Sequence, residues 1–87
     1  MKSKDAYDIV YCLRNYAGGV PAIANEVLAR LPNALLERGL ERLSASFASV
    51  TSLGPAVYAR RALSAEEGRL LSREAFELVS DLLDLLP

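Results

Sequence analysis

The last third of the chain carries the pattern that most restricts its fold. From Ala65 to Leu86, apolar residues recur every three or four positions. Leu71, Ala75, Leu78, Leu82 and Leu85 make one stripe, and Phe76, Val79, Leu83 and Leu86 make a second beside it. That spacing predicts one long helix and no strand. Ser64 and Glu67, three apart, form a capping box at its start, with Ser64 as the cap and Glu67 reaching back. Together the stripes cover about half the helix circumference, more than the ~100° a surface helix gives to one core. Part of that face is therefore expected to be covered from outside the chain, by a second copy or by a partner protein.

The rest of the chain supplies helices to pack on it. Ala6, Ile9, Val10, Leu13 and Ala17 fall on one face of a helix predicted from Ser3 to Tyr16, closed by Gly18-Gly19. Ser3 is its expected cap, and Asp5 suits its positive end. A second helix is predicted from Pro21 to Leu31, with Ile23, Val27, Leu28 and Leu31 buried and Pro32 as the stop. A third is predicted from Asn33 to Val50, with Leu36, Leu40, Leu43, Phe47 and Val50 as a seam for another helix. Gly39 weakens it by about 1 kcal/mol relative to alanine. Thr51 to Pro55 reads as a loop, followed by a short helix from Pro55 to Ala62. Strand alternation and internal repeats are absent, and Val, Ile and Thr are sparse beside Leu, Ala and Arg. The expected fold is all-α: a four- to five-helix bundle with short connections, in a single domain spanning residues 1–87.

Charge and composition remove several function classes. The net charge of −1 lacks the basic field of a non-specific nucleic-acid binder, which argues against nucleic acid as a partner of this chain alone. Histidine is absent, so triad chemistry that needs an imidazole is excluded. One cysteine without histidine gives no zinc ligand set and no internal disulfide. Cys12 has apolar neighbours in sequence and is expected to be a buried, inert thiol. Lys2 and Lys4 are followed at once by Asp5 and Asp8, where the apolar region of a signal peptide should begin. No apolar run approaches the roughly 20 residues needed to span a bilayer, so the expected location is the cytoplasm, away from membranes.

The densest polar cluster runs from Lys4 to Arg14. Lys4 and Asp8 are four apart and face each other on a helix, as a surface ion pair or as a phosphate-binding lysine and its orienting carboxylate. Arg14 lies about 120° around the helix from Asp8. Tyr7, Tyr11 and Tyr16 read as packing or interface residues rather than base-stacking ones. Arg60 and Arg61 suit a helix C-terminus. Asp81 and Asp84, disfavoured by the dipole near such an end, suit a solvated face or an interface.

The string Lys-Asp-x-Tyr-Asp-Ile-x-Tyr-x-Leu-Arg, from Lys4 to Arg14, resembles the Lys-Asp-x-x-Asp-Leu motif of nucleotidyltransferase-fold toxins of the abortive-infection AbiEii/AbiGii type. In that family the motif opens a helix in the C-terminal half, after the catalytic domain. Asn15 to Gly19 is similar to the stretch that follows it, and Phe47 to Pro55 is similar to a loop in related proteins. The resemblance implies the C-terminal helical part of such a protein, in a toxin–antitoxin setting. Lys4, Asp5 and Asp8 match the motif and Arg14 its looser tail. They are the candidate contacts to nucleotide or phosphate.

The family's catalytic half holds Mg²⁺ with a Gly-Ser turn and paired aspartates, because the metal must bridge the triphosphate. This chain has no Gly-Ser dipeptide and no Asp-x-Asp. No catalytic or metal-binding residue is therefore expected in it, and Mg²⁺ and a nucleoside triphosphate are expected only where a catalytic partner domain is present. The expectation is a non-catalytic accessory or interaction domain, working through the apolar face of the last helix. The alternatives are a self-contained homodimeric helical protein and one half of a split nucleotidyltransferase.

Overall fold

The computed structural model describes the backbone of residues 3–86 and the side chains of residues 5–86. The described residues are 77% helical, with five helices and no strand among them. They are α1 (Ser3–Asn15), α2 (Gly19–Arg30), α3 (Ala34–Ser46), α4 (Leu53–Ala59) and α5 (Ala65–Asp84). The Ser3 cap and the Lys4 side chain lie outside the described residues.

Each boundary has a local cause. α1 ends at a turn in which Gly18 and Gly19 both take positive φ, 90° and 71°, and the Gly19 amide donates to the Tyr16 carbonyl at 2.9 Å. Asn33 caps α3, its Oδ1 accepting from the Leu36 amide at 3.0 Å. α3 stops at Ser46, four residues before the predicted end at Val50. Beyond it, a hydroxyl offers the backbone another partner: the Ser49 amide donates to Ser52 Oγ at 3.0 Å. α4 begins at Leu53 rather than Pro55, so the proline sits in its first turn, where a missing N–H costs nothing. At α5 the expected cap forms, with Ser64 Oγ accepting from the Glu67 amide at 3.1 Å. The Glu67 carboxylate reaches one residue further back than expected, to the Leu63 amide at 3.3 Å.

α5 is the spine on which the others pack. α1, α2, α3 and α4 all touch it, α4 most extensively, and α4 also meets α1 and α3. The core consists of Ala6, Val10 and Leu13 from α1, Ala24 from α2, Phe47, Val57 and Tyr58, and Ala75, Val79 and Leu82 from α5. The radius of gyration is 12.8 Å, close to the ~12 Å expected for a folded chain of this length.

Two expected buried faces are not buried. On α2 only Ala24 is buried; Ile23, Val27 and Leu31 are half-buried and Leu28 is exposed. The helix packs on both α1 and α5 and buries its small residue. On the predicted α3 seam only Phe47 is buried, while Leu36, Leu40, Leu43 and Val50 remain half-buried. The reason is topological. Both α2 and α3 rest on α5, but among the described residues they do not pack on each other, so no helix fills the space between them.

Candidate functional site

α1 carries the motif residues and divides them between two sides. Asp5 and Asp8 are both exposed on its surface. Asp8 borders a shallow apolar depression of about 310 Å³ formed with Ile9, Cys12 and Ile23 over Leu13 and Leu82. Arg14 points instead into a polar crevice of about 240 Å³ shared with Tyr7, Tyr58, Arg61, Glu67 and Leu71. Asp8 and Arg14 thus line different depressions, one on each side of the helix. The Lys4–Asp8 pair cannot be placed, because the Lys4 side chain is outside the described residues.

The crevice is held together by a polar network. The Arg14 guanidinium lies 3.2 Å from the Glu74 carboxylate, and the Tyr58 hydroxyl donates to the same oxygen at 3.3 Å. Tyr58 first, then Glu74, raises the Arg14 pKa above its ordinary value. The Arg61 guanidinium carbon sits 3.6 Å from the centre of the Tyr7 ring, a cation–π contact. Tyr7 also stacks on Tyr58, with centroids 6.4 Å apart and planes 13° from parallel, and meets Tyr11 at 5.8 Å with a 41° tilt. Tyr7 is therefore a packing residue, as its spacing implies. Arg61 lies just past the C-terminal end of α4, with its guanidinium on the Tyr7 ring. Arg14, Tyr58 and Glu74 fasten α1 to α4 and α5, and their charges answer one another.

Cys12 is exposed, not buried. Its apolar sequence neighbours mislead, because two residues past the buried Val10 place it about 200° around the helix. Asp81 and Asp84 are exposed near the end of α5. Among the described residues no group of three or more Cys, Asp or Glu side chains is placed to hold a metal ion. No helix among them is long and apolar enough to cross a membrane.

The apolar surface left open by α2 and α3 was not legible from one-helix patterns. Leu31 at the end of α2, Leu40 on α3, and Leu83 and Leu86 at the end of α5 line a groove of about 530 Å³. Glu37 and Glu41 form its rim. Leu83 and Leu86 belong to the second apolar stripe of the last helix, whose Val79 is buried in the core while these two stay half-buried. The first stripe is covered along Ala75 and Leu82 by the chain's own helices, while Leu85 at its end stays 49% exposed. No protein-family model, curated protein or solved structure matches this chain.

Proposed function

We propose that the chain is a non-catalytic helical accessory domain of a nucleotidyltransferase-like protein of the AbiEii type, acting by docking on a partner rather than by chemistry of its own. The observation that carries this reading is the leucine-lined groove between α3 and the end of α5. Its four leucines stay partly open to solvent in a chain small enough that unburied apolar surface is a real loss of stability. The resemblance of Lys4 to Arg14 to the family's motif supports the assignment to that kind of protein, and the Arg14–Glu74 contact gives the motif helix a structural role in it. On this reading Mg²⁺ and nucleotide belong to a catalytic domain elsewhere, in the same protein or in the other half of a split one.

The test is transfer of label from nucleoside triphosphates to RNA or protein acceptors by this chain in the presence of Mg²⁺. The expected result is no transfer above background. Transfer that follows the purified chain, and that is lost with Asp5→Asn or Asp8→Asn, would overturn the reading.

A second reading, a self-contained homodimer, is favoured by the apolar depression at Ile9, Cys12 and Ile23. Sedimentation separates the two. A dimer that persists on dilution and is broken by Ile9→Ser supports the homodimer, and a well-folded monomer supports docking on a different protein.

A further inference from the structure

Building on the docking reading, we propose that the α3–α5 groove takes an amphipathic helix of a partner protein, apolar along one strip and flanked by lysine or arginine. The floor supplies the apolar half of the argument. Leu83 in the last turn of α5 and Leu86 just beyond it, three apart, line the groove together with Leu40 of α3 and Leu31. That is the arrangement into which a helix inserts residues spaced by three and four.

The rim supplies the charge. Glu37 and Glu41 are four apart on the groove side of α3, so their like charges repel. Neither makes an ion pair or a side-chain hydrogen bond among the described residues, whereas Glu26, Glu74 and Glu77 each pair with an arginine. The neighbouring Arg38 and Arg42 follow each glutamate by one residue, about 100° further round the helix, and are exposed without an ion pair to them. α3 thus separates its charges, acidic beside the groove and basic away from it. A partner helix with a basic flank neutralises two carboxylates that the chain itself leaves unanswered, and an acidic one adds to their repulsion. A second copy of the chain fits less well. The exposed leucines beside its arginines are Leu35, near Arg38, and Leu70, between Arg69 and Arg73. They lie on different helices, Leu70 has only Glu66, Glu67, Arg73 and Glu74 at helical spacing, and one leucine does not fill a four-leucine groove.

The experiment uses the 87-residue chain and two fluorescein-labelled peptides of about 14 residues, the length of an ordinary helix. Both carry leucine at helical spacing. One has lysine at every flanking position and the other glutamate. Fluorescence anisotropy is expected to show binding of the lysine peptide, weakening with salt, and little binding of the glutamate peptide. The double variant Glu37→Lys/Glu41→Lys, at exposed positions, is expected to keep its helicity and to bind the lysine peptide about tenfold more weakly. It should gain affinity for the glutamate peptide. Equal affinity for the two peptides, or a lysine-peptide affinity unchanged by the double variant, overturns the proposal. So does a stable dimer of the chain that Leu40→Ser breaks, since a second copy then covers the groove. The peptide outcomes bear on the occupant alone; the accessory reading falls to nucleotide transfer by the chain or to a dimer that persists on dilution.

Discussion

The Phe47 ring lies against the backbone of Gly54, so closely that a methyl group on Gly54 would sit 2.5 Å from Cε1 and Cζ of the ring. Phe47 is the largest fully buried side chain of the core, and it fills the space left by the missing side chain at the start of α4. A buried ring has little freedom to retreat. Gly54→Ala is therefore expected to destabilise the fold by about 1–3 kcal/mol, the cost of overpacking a core. Gly39 is the internal control. Nothing lies within 4 Å of a methyl group placed there, in mid-α3. Gly39→Ala should stabilise by about 0.5–1 kcal/mol. Urea denaturation of the two variants checks both signs.

The caps of α3 and α5 give a second pair of expectations. Asn33 and Ser64 each accept a hydrogen bond from the amide three residues on. Replacing either with alanine leaves that amide to solvent and should cost about 1 kcal/mol. α5 is the spine on which the other helices rest, so Ser64→Ala should lower the midpoint of the whole thermal transition. A second, separate transition would show that α5 frays independently.

How far these features could be read in advance varies with their cause. The Ser64 cap, the Gly18-Gly19 turn and the buried positions Ala6, Val10, Leu13 and Val79 follow from local rules of spacing and capping, which one segment states in full. The failures arise where a second element decides. The α2 stripe at Ile23, Val27 and Leu31 has the right period, but the packing of α2 on α1 and α5 buries Ala24 instead. The α3 seam is real as a pattern, yet its far side meets no helix. Nothing in Leu36, Leu40 and Leu43 alone says whether a partner helix will be there. The Arg14–Glu74 contact joins residues sixty apart, beyond the reach of any local spacing rule.

Cys12 is a case where a simple wheel would have served better than its sequence neighbours. As an exposed free thiol it should react with Ellman's reagent in the native protein at the rate of a small-molecule thiol, with one equivalent consumed. Reaction only after unfolding would contradict its placement on the surface of α1.

Tyr7 is expected to matter for its ring rather than its hydroxyl. The ring meets Tyr58, Tyr11 and the Arg61 guanidinium. Tyr7→Phe keeps those contacts and should change stability by less than about 0.5 kcal/mol, whereas Tyr7→Ala should cost about 2 kcal/mol, less than for a fully buried ring. Equal losses in the two variants would assign the role to the hydroxyl instead.

The Arg14 interaction has a defined pH signature. Its pKa is raised in the folded state, so whatever stability it gives is fully present below the ordinary arginine range and is lost only as pH rises through the still higher folded value. Arg14→Gln should therefore lower stability by the same amount at every pH from neutral to mildly alkaline. The difference from the parent should shrink in high salt, because both partners are substantially exposed. A difference that varies between pH 7 and 9 would point to another titrating group.

The docking account is tested most directly by leucine-methyl NMR of the isotopically labelled chain titrated with the lysine-flanked peptide. The account predicts shifts concentrated on Leu31, Leu40, Leu83 and Leu86, with Leu28 and Leu70, exposed on other faces, left unchanged. Shifts centred on Leu13 and Leu82, beneath the Cys12 depression, or spread evenly over all exposed leucines, would contradict it.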